Sequence, residues 1–160
     1  MQVMQYPGYS TGKVILSEGD WFPFRIHNLV QLQDDEWYYI LVDINNLKHF
    51  MPAEYYAGYG FRIGDEISCK IDRINCTGRI FLEPKHPYYN EGELYLFDVC
   101  VVSKEDDKQI LVVKEILGNS IEVPLYDIRL LNNSKENKVR FMVKSIKKGK
   151  PILEFPVKCF

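Results

Sequence analysis

The chain says one thing twice. Glu18-Gly19-Asp20-Trp21-Phe22-Pro23-Phe24-Arg25-Ile26 returns 73 positions later as Glu91-Gly92-Glu93-Leu94-Tyr95-Leu96-Phe97-Asp98-Val99. Tyr38 to Pro52 aligns with Ile110 to Pro124 without a gap at an offset of 72, and Ile67 to Ile74 aligns with Val139 to Ile146 at the same offset. Gly78, Leu82 and Glu83 fall on Gly149, Leu153 and Glu154 at an offset of 71. Order kept over a whole half, with so little drift, means two copies of one small domain. A copy of about 70 residues sits near the lower limit of independent stability. One fold and one surface must therefore be explained, and then the differences between copies.

Each copy reads as short β-strands. Trp21 to Val30 alternates, with Phe22, Phe24 and Ile26 on one face and Trp21, Arg25 and His27 on the other. The acidic turn Asp34-Asp35-Glu36 leads into a second strand, Trp37 to Ile44, and the turn signal Asn45-Asn46 into a third, Leu47 to Met51. Pro52 to Ala57 is expected to form one helical turn, ended by Gly58 and Gly60. Ile67 to Ile74 and Arg79 to Glu83 complete the five strands. An all-β chain follows: two tandem five-stranded OB-type barrels, each with a short helical insert between strands three and four. A five-stranded SH3-like barrel, which lacks that insert, is the competitor. The expected boundaries are an extended lead-in over 1–13, a first domain over 14–84, a linker over 85–90 and a second, more divergent domain over 91–160.

Charge and cysteine usage narrow the classes. A net charge of −2 argues against a strongly basic nucleic-acid binder, but its distribution is uneven. Residues 1–90 carry 8 Lys+Arg against 11 Asp+Glu, whereas residues 91–160 carry 12 against 11. Lys138, Arg140, Lys144, Lys147, Lys148 and Lys150 occur together with no acid among them. They are either a solvated hairpin or a phosphate-facing stripe. The cysteines form no Cys-x-x-Cys pair; Cys69 and Cys100 lie in apolar runs and read as buried thiols. No metal or cofactor is expected. No apolar run approaches the roughly 20 residues of a membrane span, and the first residues lack the pattern of a signal peptide. The cytoplasm is the expected location.

Phe61-Arg62-Ile63-Gly64-Asp65-Glu66-Ile67-Ser68-Cys69-Lys70-Ile71 and the following Gly78-Arg79-Ile80-Phe81-Leu82 resemble the fourth and fifth strands of the S-one-like RNA-binding domain. That domain is the OB-fold repeat of the largest small-subunit ribosomal protein. The resemblance covers residues 18–84, and more faintly 91–156. It implies that strands two and three bind single-stranded RNA, or single-stranded DNA, through aromatics, a histidine and nearby cations. Stacking on an aromatic contributes ~1–3 kcal/mol per base without needing sequence. Position by position, Tyr38, beside Trp37, takes the first aromatic place and His49 the histidine place, with Lys70, Arg73 and Arg79 in reach of phosphates. Leu41 stands at the second aromatic place, and Trp21-Phe22-Pro23-Phe24 replaces the first strand's Gly-x-Val pattern. In the second copy Ile110 and Ile121 stand where Tyr38 and His49 do, so Arg140, Lys144, Lys147 and Lys148 are left there to hold backbone.

Structural readings stand beside these. Trp37 and Tyr38 could fill the barrel wall, and His49 could be an edge histidine with its own partner. The tyrosine runs around Tyr55 and Tyr88 suit protein interfaces as well as RNA. Glu83 and Glu154 recur at equivalent places, which favours a structural role at a barrel end over a catalytic one. No phosphate-binding glycine loop, His-Glu-x-x-His or nucleophile motif occurs. The chain reads as a binding protein and not an enzyme. A protein-interaction module that kept the scaffold without binding RNA is the alternative.

Overall fold

Alternation over residues 21–31 is realised as the central strand of a sheet. The computed structural model describes residues 12–105, 108–125 and 137–156. Trp21–Gln31 forms β1, burying Phe24 and Ile26 while Trp21, Pro23 and Arg25 stay exposed. β2 (Trp37–Val42), β3 (Lys48–Pro52), β4 (Glu66–Ile74) and β5 (Ile80–Pro84) complete an antiparallel sheet in the order β3-β2-β1-β4-β5. The second half gives β6 (Leu94–Glu105), β7 (Lys108–Lys114), β8 (Ser120–Leu125), β9 (Lys138–Lys147) and β10 (Lys150–Glu154). Their order, β10-β9-β6-β7-β8, is that of the first sheet read from the other edge. This second sheet curls until β8 meets β10.

Matching residues perform matching jobs, which turns the sequence repeat into a structural one. The N–H of Gly19 donates to the Ile71 carbonyl at 2.8 Å, and that of Gly92 to Val143 at 2.7 Å. Both glycines hold positive φ, +85° and +84°, a region that costs a residue with a Cβ. Beside them, Glu18 accepts from the Ile74 N–H at 2.7 Å and Glu91 from Ile146 at 3.3 Å. A register shift between Ile26 and Asn28 in β1 recurs between Val99 and Val101 in β6. Ile26 and Val99 donate to the carbonyls of Asp65 and Asn137. Such bulges bend a strand and allow a small sheet to curl.

One expectation is corrected. Cys69 is buried on β4, but Cys100 is exposed, because alternation from the buried Phe97 places it on the outer face, where its equivalent His27 also lies. Cys76 is exposed as well, and Cys159 lies outside the described residues. Among the described residues no group of three or more His, Cys, Asp or Glu could hold a metal ion. Among the described residues no helix is long and apolar enough to cross a membrane.

Two compact units emerge. The first comprises residues 12–53 with Arg62–Leu82, and the second Glu54–Phe61 with residues 83–156. Phe24, Ile26, Leu41, Met51, Cys69 and Ile71 form the core of the first. Phe97, Leu111, Val113, Phe141 and Val143 form that of the second. Burying each such side chain contributes about 1.5–3 kcal/mol. The helical turn is a short 3-10 helix, Glu54–Tyr59, between β3 and β4, and it packs with the second unit. There the buried Glu83 accepts from the Tyr56 hydroxyl at 3.0 Å and from the N–H groups of Lys148 and Gly149 at 2.9 and 3.0 Å. Residues 85–90, read as a linker, carry two buried rings, His86 and Tyr89. The second copy's counterpart of the insert, and the lead-in over residues 1–11, lie outside the described residues.

Candidate nucleic-acid interface

Strand register decides which side chains of β2 and β3 meet. Ile40 pairs with Phe50, Leu41 with His49 and Tyr38 with Pro52. Tyr38 and Phe50 therefore share a face, and their rings meet edge to face at 6.2 Å and 89°. They line an open groove of about 700 Å³ together with Lys48 and His49 on one side and Thr77 and Arg79 of the β4–β5 turn on the other. Phe50 is 43% exposed, which leaves ring surface available to a ligand. A half-buried tyrosine and an exposed phenylalanine beside two cations suit a ligand that combines flat apolar rings with negative charge.

The groove is not uniformly positive. The Tyr38 hydroxyl donates to Glu36 at 2.9 Å and to Asp34 at 3.3 Å. The hydrogen bond to Glu36, reinforced by both negative charges, pushes the phenol up to about 12. Tyr38 thus stays protonated at any physiological pH, with its ring oriented by two carboxylates.

His49 occupies the expected strand but is already engaged. Its Nε2 lies 2.7 Å from the Asp43 carboxylate, and its ring meets the buried Phe24 edge to face at 6.0 Å. The other Asp43 oxygen accepts the N–H groups of Asn45 and Leu47 at 2.8 and 2.9 Å. Those bonds explain how Asp43 can be buried. His49 reaches the groove at its rim while closing the β2–β3 hairpin; it is not a free stacking platform.

Arg73 and Arg79 are exposed and converge on one ring, with their guanidinium carbons 4.5 and 4.9 Å from the centroid of Phe81. Such contacts hold a guanidinium in place at a cost in rotamer freedom that the ring partly offsets. Of this pair only Arg79 lines the groove. Lys70 lies on β4 opposite Trp21, and Trp37, half exposed, ends β2 opposite Gln31; neither lines the groove. Tyr38, His49 and Arg79 are therefore brought together, whereas Trp37, Lys70 and Arg73 stand outside.

The second copy's residues form a separate feature. Arg140 and Lys144 are exposed on β9, with Val139, Phe141 and Val143 pointing into the core between them. Lys147 and Lys148 enter the β9–β10 turn. Lys148 holds φ +50°, donates its N–H to Glu83, and places Nζ 5.4 Å from the Tyr55 ring centre. Lys138 sits 3.9 Å from Asp98 in an exposed pair, a contact that contributes little. The stripe exists, but one of its cations already serves the turn.

Sequence reasoning missed Phe50 and Lys48. Carrying the two-residue alternation through Lys48-His49-Phe50-Met51, with Met51 inward, would have placed Phe50 outward beside Tyr38. It also missed Asp43, whose signal is the Asp-x-Asn-x-Leu spacing of a side chain that caps its own turn. No protein-family model matches the chain, and no curated protein is significantly similar to it.

Proposed function

We propose that the first copy is an OB-type barrel that binds single-stranded nucleic acid, RNA before DNA, weakly and with little sequence preference. The sheet order β3-β2-β1-β4-β5, with a 3-10 insert between β3 and β4, supports that barrel over an SH3-like one. The likeness of residues 61–71 and 78–82 to the S-one-like domain supports the choice of ligand. One observation carries the reading: the half-buried Tyr38 and the exposed Phe50 form an aromatic pair in the same groove as Lys48 and Arg79. Bases stack on the rings while phosphates meet the cations, and no bond is made or broken. The second copy, with Ile110 and Ile121 in place of Tyr38 and His49, contributes backbone contacts through Arg140 and Lys144 at most.

A salt titration with a short single-stranded oligoribonucleotide tests this. Binding is expected at ~50 mM salt, where phosphate contacts are favoured, and the double variant Lys48→Ala with Arg79→Ala should lower the slope of log K against log salt by about 1.4. Absence of binding at that salt would sink the proposal. A specific observation also keeps the protein-interaction reading in view: Asp34 and Glu36 hold the Tyr38 hydroxyl at the groove, an arrangement that would also receive a basic peptide. Tighter capture of a lysine-rich peptide than of the oligonucleotide would favour that reading.

A further inference from the structure

Asp43 and Glu115 occupy equivalent positions in the two copies, and each closes the turn after its strand. Glu115 accepts the Asn119 N–H at 2.7 Å, as Asp43 accepts that of Leu47. Asp43 gives its other oxygen to His49. In the second copy the histidine position is Ile121, and the second oxygen of Glu115 is buried with no hydrogen-bond partner among the described residues.

Another histidine supplies the opposite polarity. His86 is 3% exposed, and its Nδ1 accepts the backbone N–H groups of Tyr88 at 3.1 Å and Tyr89 at 3.2 Å. A nitrogen that accepts two N–H bonds carries the lone pair, so the neutral ring holds its proton on Nε2. That Nε2 is buried and also without a partner among the described residues, and Glu115 is the charge that acts on the ring. One orphaned N–H and one orphaned carboxylate oxygen thus sit in the same unit and influence each other.

We infer that His86 is an acid-sensitive fastener for residues 86–90. Protonation would put a hydrogen on Nδ1, where two backbone N–H groups already point, and both bonds must then break. The groups around the ring are Tyr59 of the 3-10 helix at 5.2 Å, Tyr88 and Tyr89 at 6.3 and 4.8 Å, and Glu115 of the turn after β7. Glu83 and Glu115 both act on Tyr59. Glu115 favours the imidazolium, but burial outweighs it and holds His86 below the ordinary histidine value of 6.5. The closed segment therefore resists a proton that the opened segment accepts, so opening increases as pH falls below about 6.5, by up to about tenfold per pH unit. What opening releases is Tyr89, whose ring belongs to the core and whose hydroxyl accepts the Ile116 N–H at 2.9 Å.

Amide hydrogen exchange of the full chain between pH 7.5 and 5, corrected for intrinsic rates, tests the fastener. Protection of the Tyr88 and Tyr89 amides should fall by up to about tenfold per unit below pH 6.5 in the parent chain. It should stay level in His86→Asn, whose side-chain oxygen can accept the same two N–H groups at every pH. Level protection in the parent chain, or an equal fall in the variant, overturns the inference. Nitrogen NMR of the His86 ring decides independently of whether the variant folds. At pH 7.5 the proton should be on Nε2, and a ring with its proton on Nδ1 also overturns it.

Discussion

The same turn is built twice with different consequences. In the first copy Asp43 holds the backbone of its turn with one oxygen and His49 with the other. In the second, Glu115 holds the turn, but the strand histidine has become Ile121 and its second oxygen is orphaned. The scaffold job is common to both, and the residue that reaches the groove is not. The same division runs along the whole repeat. Gly19 and Gly92, Glu18 and Glu91, and the bulges in β1 and β6 match in geometry. Tyr38 faces Ile110 across the alignment, and Phe50 faces Glu122. The repeated residues keep the five-stranded framework, and the face that carries Tyr38 and Phe50 differs between the copies.

The largest effects are expected in the cores, where the two copies should match. Phe24 and Phe97 are equivalent and each is 1% exposed, so Phe24→Ala and Phe97→Ala should each cost about 3–5 kcal/mol in denaturant unfolding. A loss below about 1 kcal/mol in either would mean that the two cores are not built alike. The acids should separate next. Asp43→Ala removes three hydrogen bonds to a carboxylate and should cost about 2–3 kcal/mol. Glu115→Gln keeps the bond to Asn119 while removing a buried charge, and should change stability by less than about 1 kcal/mol. Equal losses would refute the claim that only the first acid is fully satisfied.

Two smaller effects sharpen the contrast. Gly78 and Gly149 are equivalent, with φ of +80° and +75°. A Cβ at Gly78 meets open space, whereas one at Gly149 runs into the Tyr55 carbonyl. Gly78→Ala should cost about 1–2 kcal/mol for the left-handed backbone alone, and Gly149→Ala clearly more. Last, a pH titration followed by NMR at the Tyr38 ring should show it ionising near 12, and Glu36→Gln should move it back toward 10.0. Raised in the folded chain above its unfolded value, this phenol favours the fold below pH 10 and ceases to do so as pH rises through 12. No shift in the variant would remove Glu36 as the cause.

Much of the framework is legible in the residues because it is local. Alternation marks Phe22, Phe24 and Ile26 as one face, Asn45-Asn46 marks a turn, and the repeat supplies each assignment twice. The groove is only half legible. Tyr38 and Arg79 are found by resemblance, but Phe50 requires the strand's facing to be followed residue by residue. His49 is placed on its strand while its engagement by Asp43 depends on how the turn folds back. Cys100 lies in an apolar run, yet alternation from Phe97 already places it on the outer face with its equivalent His27. Least legible is the packing of residues 54–61, Glu83, His86 and Tyr89 in the second unit, because it joins residues up to 90 positions apart, as in the Tyr59 hydroxyl's bond to the Gly149 carbonyl.

The central claim is that the first copy alone stacks bases. Its most direct test is oligoribonucleotide binding at ~50 mM salt to three full-length chains: the parent, Tyr38→Ala with Phe50→Ala, and Arg140→Ala with Lys144→Ala. Loss of stacking worth ~1–3 kcal/mol per base should weaken binding by the aromatic variant about tenfold or more. The second-copy variant should lose only a salt-dependent fraction. Equal affinity in the aromatic variant and the parent, or a larger loss in the second-copy variant, would contradict the account.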